Sequence, residues 1–299
     1  MLNLPIPLLL VLTILTSWLN SMLGGYYSKR IHGGGRTLWR YNLGRSVCCG
    51  GMIAVLLAWS GGLHTWSLYS VLLGLLMGMA DVWGLAANLK AFALGPFSYT
   101  TVIVSLSSVI PALSGLFWGE TVTAVQWCGV LLMLVCLVLS PEYATGEEPK
   151  KQVGAKWLLL SLIAALASGA TGVLQKLHQN SAHSGETGAL LLSCFAVSAL
   201  LSAGMLARTA HTQEAPHGRP ALLWGIPCLA GCVFAFPHTI NLFLSGKLDA
   251  VVLFPLINLL PMLLAMLSGL VLFRERLSPR RWCGVGAGIL AAVCISGLF

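Results

Sequence analysis

Ten stretches of about twenty apolar residues follow one another along this chain with only short polar breaks, and that spacing leaves few folds open. The stretches cover approximately 3 to 24, 42 to 59, 69 to 91, 98 to 118, 123 to 140, 157 to 177, 187 to 206, 221 to 244, 250 to 273 and 280 to 298. Each is long enough, as a helix, to cross the hydrocarbon core of a bilayer. In lipid no water is available to the backbone, so a spanning run must satisfy its own hydrogen bonds, and runs of this length do so as helices. The expectation is an all-α integral membrane protein with ten transmembrane helices. Composition agrees: of 299 residues 57% are hydrophobic and 9% charged, against about a quarter charged in an ordinary soluble domain. The first stretch has neither a basic leader nor a small-residue cleavage site before Gly24-Gly25, so it counts as the first helix rather than as a secretory signal.

The chain also repeats itself. Trp118-Gly119-Glu120 followed by Gln126-Trp127-Cys128-Gly129 is answered 155 residues later by Arg274-Glu275 followed by Arg281-Trp282-Cys283-Gly284. Weaker echoes join Ser17 to Gly25 with Ser168 to Lys176, and Asn88 with Asn241. The turn-rich, charged stretch from Pro141 to Pro149 lies between the copies and reads as a linker. The expected division is therefore 1–145 and 146–299, five helices each. With five helices per copy, the second enters the membrane from the opposite side, which makes the repeats inverted in topology.

The net charge of +8 does not point to nucleic acid, because the basic residues sit between the spans. The first connection holds Lys29, Arg30, Arg36 and Arg40, with Arg45 just inside helix two; the fifth holds Lys150, Lys151 and Lys156; the seventh holds Arg208 and Arg219; the ninth holds Arg274, Arg276, Arg280 and Arg281. Even-numbered connections are nearly bare, with Lys176 and Lys247 at helix edges. By the positive-inside rule the odd connections are cytoplasmic and both termini lie outside, in a multi-pass protein of a bacterial inner membrane. Nine cysteines, scattered or adjacent (Cys48 and Cys49), show no metal-ligand spacing and read as small packing residues. Neither a metal nor a cofactor is implied.

The end of each half carries a family likeness. A small-residue-rich helix, a terminal glutamate (Glu120, Glu275), a short polar stretch and a glycine-bearing last helix (Gly129, Gly284), together with Ala93-Leu94-Gly95-Pro96, resemble the drug/metabolite transporter superfamily and its ten-helix EamA-type members. The second half departs from that pattern in flanking its glutamate with Arg274 and Arg276. The resemblance implies that helices one to four and six to nine line a central cavity, with helices five and ten packed outside it. Relatives in that superfamily export amino acids, carry nucleotide sugars or move drugs, so the likeness leaves the cargo open.

Polar residues inside the spans mark the candidate site. Asp81 is an acid deep in a span, where an ionised side chain costs roughly 3 kcal/mol on insertion scales unless it faces a cavity or a partner. Gly74, Gly78, Asp81, Leu85 and Asn88 follow helical spacing along one face. A group that can take up and release a proton is what proton coupling needs, and Asp81 is the first candidate; the alternative is a structural aspartate bonded to a neighbouring helix, with Arg45 as its partner. Lys90, nine residues on, lies near the opposite face. His238 shares a face with Phe234 and Asn241 after the kink expected at Pro237, and is the second coupling candidate or else a bond between helices. Pro255, Asn258 and Pro261 suggest a broken helix nine that frees carbonyls for a ligand, or else a bend absorbed by packing.

Trp18, Asn20, Asn88, Asn241 and Asn258 are the candidate substrate contacts. Ser105, Ser107, Ser108 and Ser114 read as packing residues of helix four. Lys176 is expected to reach the interface from the end of helix six. Glu120 stands before Thr121 and Thr123, where a carboxylate favours the N-terminus of helix five.

These features favour a secondary transporter of a small polar metabolite or drug, working by alternating access and driven by protons. A passive carrier or exchanger of a lipid-linked or nucleotide-type metabolite is the alternative. An intramembrane enzyme would need a convergent set of catalytic groups, and the chain offers one deep aspartate without a second acid beside it. The expected partners are the lipid bilayer and a small-molecule substrate.

Overall fold

The computed structural model describes residues 4–30, 34–60, 66–95, 100, 103–139, 154–210, 220–272 and 279–295. Among them are ten helices and no strand: α1 (Ile6–Arg30), α2 (Gly34–Ser60), α3 (Leu68–Leu94), α4 (Ile103–Trp118), α5 (Ala124–Leu139), α6 (Ala155–Gln179), α7 (Thr187–Ala210), α8 (Pro220–Ser245), α9 (Ala250–Leu272) and α10 (Pro279–Ile295). Six of them, α1, α2, α3, α6, α7 and α8, have described spans long and apolar enough to cross a membrane, and the described apolar stretches of the other four are shorter. Large apolar side chains such as Trp59, Phe117 and Leu200 stand on the outer surface, where acyl chains meet them.

Two helices are longer than their apolar runs. α2 begins at Gly34, eight residues before the hydropathy does. Its first turns carry Arg36 and Arg40, and the guanidinium of Arg40 lies 5.3 Å from the centroid of the Trp224 ring on α8, so the charge is accommodated without leaving the helix. Arg45 is consequently a buried mid-helix residue rather than one at a helix edge. α1 runs on through Gly24-Gly25 to Arg30. A β-carbon on Gly24 would meet the Tyr41 hydroxyl at 3.4 Å, so this glycine serves a helix contact instead of ending the helix. α4 alternates α-helical and 3-10 turns and stops at Gly119, whose φ of 77° is the left-handed conformation that glycine supplies. The segments 140–153 and 273–278, which hold the expected linker and Glu275, lie outside the described residues.

Packing interleaves the two halves of the chain. α1 lies on α8 and α9, α2 on α7 and α8, α3 on α6 and α7, α4 on α6 and α9, and α5 on α10. Glycines set the closest approaches. Gly74 and Gly78 put the α3 backbone against α7, where added β-carbons would lie 2.4 Å from the Leu190 carbonyl and 2.3 Å from the Cys194 carbonyl. Gly231 does the same for α8 against the Arg45 carbonyl on α2, and Gly129 for α5 against Ile295 on α10. Gly284 is buried in α10. The first two residues of the Gly74-to-Asn88 stripe thus close a helix contact, and the remainder faces inward. Gly78→Val is expected to lower stability by about 1–3 kcal/mol, because backbone rather than a mobile side chain must give way. Melting in detergent checks it, with Gly204→Val as a control at a position that has open space around it.

Candidate functional site

Between the helices lies a cavity of about 280 Å³, lined from α1, α2, α3, α4, α6, α8 and α9. α7 contributes no lining residue, contrary to the expectation for helix seven: its Leu190, Leu191, Cys194 and Phe195 are buried in the core behind α2 and α3. α5 and α10 pack on each other away from the cavity. The lining positions correspond between the halves. Residues 81, 85 and 88 on α3 and 234, 238 and 241 on α8 stand 153 apart, and residues 17, 20 and 21 on α1 and 168, 171 and 172 on α6 stand 151 apart.

Asp81 meets Arg45 in this cavity. An Arg45 Nη2 donates to Asp81 Oδ2 at 2.5 Å, with 3% and 11% of the two side chains exposed. The guanidinium carbon also lies 4.3 Å from the centroid of the Phe234 ring. Two opposite charges so placed neutralise one another, and the pair survives burial because each partner offsets the other's desolvation. Phe234 occupies in α8 the place that Asp81 holds in α3, so the cation of α2 is shared between an acid of one half and an aromatic ring of the other.

His238 follows on the same face of α8, with ring centroids 4.9 Å from Phe234 and 5.2 Å from Phe195. Its Nε2 is buried without a hydrogen-bond partner, as are the Oδ1 atoms of Asn20, Asn88 and Asn241. All four residues line the cavity, as does Asn258. The amide nitrogen of Asn258 donates to the Phe254 carbonyl at 2.8 Å. α9 continues through Pro255 and Pro261 without interruption, and α8 through Pro237, so the broken helix nine is not found. Trp18 stands apart from the cavity: its indole N–H donates to Ser268 Oγ on α9 at 2.9 Å, tying α1 to α9. Ser107 bonds to Ser168 on α6, while Ser108 and Ser114 donate to carbonyls three residues back in α4. Ser105 adds a hydroxyl to the lining.

Next to the lining residue Gln175, Lys176 and Glu120 form a second buried pair that corrects two expectations. Lys176 does not reach the interface. Its Nζ lies 2.5 Å from Glu120 Oε1 and donates to the carbonyls of Ser245 and Leu248 at 3.1 Å each. Glu120 in turn serves α9 rather than α5, its Oε2 accepting from the backbone N–H of Ala250 at 2.7 Å. The N-terminus of α5 is closed by its own capping box, in which Thr123 N–H donates to Gln126 Oε1 at 2.9 Å and Gln126 N–H donates to Thr123 Oγ1 at 3.3 Å. The Lys176 ammonium thus satisfies the Ser245 carbonyl at the end of α8 and the Leu248 carbonyl in the following turn, and the Glu120 carboxylate the Ala250 N–H at the start of α9. Gly115 makes room, since a β-carbon there would lie 2.2 Å from Glu120 Oε2.

A third polar cluster, not foreseen from the sequence, joins the start of α3 to the turn between α6 and α7. Glu186 Oε2 accepts from Ser67 N–H at 2.9 Å, Ser67 Oγ at 2.5 Å and Ser70 Oγ at 2.7 Å, and Oε1 lies 3.0 Å from His183 Nδ1. Ser70 Oγ also lies 3.1 Å from Nε2 of the buried His178. The Ser67 and Ser70 donors hold the Glu186 carboxyl at about 2, below its ordinary 4.5. A carboxyl depressed in the folded state adds stability above its unfolded value and loses it as pH falls through the folded one. Acidification from 4.5 towards 2 is therefore expected to lower the melting temperature of the protein more than that of Glu186→Gln, whose corresponding fall is flattened.

Residues 155–297 match the model of the EamA-like transporter family. The second half of the chain is EamA-like. This agrees with the likeness to the drug/metabolite transporter superfamily that the motif residues carry, and together with the six described helices long and apolar enough to cross a bilayer it supports a multi-pass membrane protein. The EamA-like segment spans α6 to α10 and supplies Lys176, Phe234, His238, Asn241 and Asn258. No curated protein sequence matches the chain significantly. A solved crystal structure is similar with a TM-score of 0.68 at 16% identity, covering 96% of this chain and 99% of that one, which establishes a shared fold over nearly the full length.

Proposed function

We propose that the chain is a secondary transporter of a small polar metabolite, built from two inverted five-helix repeats, 1–145 and 146–299, that alternate access to the central cavity. The observation that carries this reading is the correspondence of lining positions between α3 and α8 and between α1 and α6, which supports one site on the boundary of two related units. A cavity of about 280 Å³ suits a small solute better than a lipid-linked or nucleotide cargo. The Lys/Arg distribution supports odd connections in the cytoplasm and both termini outside a bacterial inner membrane. On that orientation the Lys176–Glu120 pair closes the outer end of the bundle, since the connections after α4, α6 and α8 meet there.

Coupling follows from a change of partner at Asp81. A proton on the carboxylate replaces the Arg45 cation, which then rests against Phe234, and His238 beside it is the second proton acceptor. Tracer counterflow in liposomes tests the reading. Saturable exchange that a pH gradient turns into net flux, with Asp81→Asn retaining exchange and losing the response to the gradient, is the expected result. Non-saturable flux in liposomes would contradict it.

A further inference from the structure

We infer that the cavity accepts an uncharged solute rich in hydroxyl groups, of monosaccharide to nucleoside size, and that Asn20, Asn88 and Asn241 select it. This rests on the reading of the cavity as a transport site and adds its ligand class. The first observation is charge. Arg45 and Asp81 are the charged residues of the lining and are spent on each other, while Lys176 is spent on Glu120 and two carbonyls. An anion or cation entering this space would leave water without an opposing charge free to meet it.

The second observation is the amides. Three asparagines from three different helices converge on one cavity, each with its Oδ1 buried and unpaired, and the Nε2 of His238 is in the same condition. Buried polar atoms are normally satisfied, and these four around one cavity, with the unpaired Arg45 Nε donor as a fifth, call for a common partner that both donates and accepts. A carboxamide both donates and accepts, and a half-turn about its terminal torsion exchanges the two roles. The ligand group that meets such a side chain in either state is a hydroxyl, which also donates and accepts. A carboxylate only accepts and an ammonium only donates, so neither satisfies the set. Phe92 and Phe254 in the lining give apolar walls for a ring, and 280 Å³ lies at the small end of small-molecule pockets.

The test is equilibrium binding to the purified full-length protein in detergent. Labelled myo-inositol, D-glucose, D-ribose and uridine serve as uncharged probes, with glutamate and lysine as charged ones. Saturable binding of an uncharged probe, weakened about tenfold or more by Asn88→Leu and by Asn241→Leu, is expected. The melting temperatures of the variants establish folding, and Asn88→Ser, which keeps a hydroxyl, is expected to restore part of the affinity. Preference for glutamate or lysine overturns the inference, as does failure of all four uncharged probes to bind or binding that Asn88→Leu and Asn241→Leu leave unchanged. Binding without flux in liposomes would sink the transporter reading and leave the ligand class standing; flux of a charged solute would do the reverse.

Discussion

Asp81→Asn is expected to destabilise the folded protein by about 3–5 kcal/mol, the cost of leaving a buried guanidinium without its counter-charge. Arg45 is 2% exposed and packed among α2, α3 and α8 at the wall of the cavity, so little water reaches it to offset that cost. Its remaining contact, the Phe234 ring at 4.3 Å, recovers a part worth roughly 1–2 kcal/mol in a desolvated site. Removing both charges should therefore be milder than removing one. Arg45→Met combined with Asp81→Leu is expected to regain most of the lost stability, since apolar residues of similar volume commonly replace buried ion pairs without loss. Denaturation of the single and double variants in one detergent measures the coupling. Equal losses from Asp81→Asn and the double variant would mean that the charges are not a pair in solution. The same double variant separates stability from function: folded but unresponsive to a pH gradient is the expected phenotype.

Lys176→Met is the second large effect. It removes the counter-charge of Glu120 and unbinds the Ser245 and Leu248 carbonyls together, which ties its loss to the same scale of about 3–5 kcal/mol. Glu120→Gln should cost less, because the neutral amide oxygen still accepts from Ala250 N–H and Lys176 keeps its two carbonyls. The two substitutions should also shift the conformational balance in one direction. The pair ties the turn after α4 to the end of α6 and to the α8–α9 connection, so its loss favours the conformation in which these connections separate. Faster labelling of a thiol placed at Gln175, reached from the side of those connections, would show that shift in Lys176→Met; unchanged labelling would leave the pair a purely structural bond.

The contrast between these two pairs shows how far the residues could be read before the fold was known. The ten helices were legible because lipid allows a spanning backbone little choice and because period and length are written in the hydropathy. Helix starts were less so at α2, where Arg36 and Arg40 looked like connection and are helix, with the Arg40 charge carried by its long stem onto the Trp224 ring on α8. Asp81 with Arg45 was legible as one of two alternatives, since an acid in mid-span must find a cavity or a cation. Lys176 was not. A lysine near a helix end reads as one that reaches the interface, and nothing local tells that Glu120, 56 residues earlier, will be folded against it. Glu120 misled for a related reason: its neighbours Thr123 and Gln126 do cap α5, which left the carboxylate free to serve another helix. The Glu186 cluster joins a serine pair to an acid more than a hundred residues away, and short polar side chains carry no long-range signal in a single sequence.

Side-chain direction explains the remaining differences. Trp18 shares its helix with Asn20, and two residues along a helix turn the side chain by about 200°, which sends the indole to Ser268 while the amide lines the cavity. Prolines in α8 and α9 looked like breaks, but the helices run through them, as helices do in lipid when neighbours cover the freed carbonyls.

A cavity reached from either side of the membrane in turn must expose a single thiol within it to each side, and labelling of that thiol measures this. Asn241→Cys in a background freed of the nine native cysteines, reconstituted in liposomes of known orientation, is labelled by a membrane-impermeant reagent from inside and from outside. Labelling from both sides is expected, with each molecule open to one side at a time, so that Lys176→Met raises the rate from the side of the α8–α9 connection and lowers the other. Labelling from one side alone in every condition, or from both at once with no trade between them, would contradict alternating access.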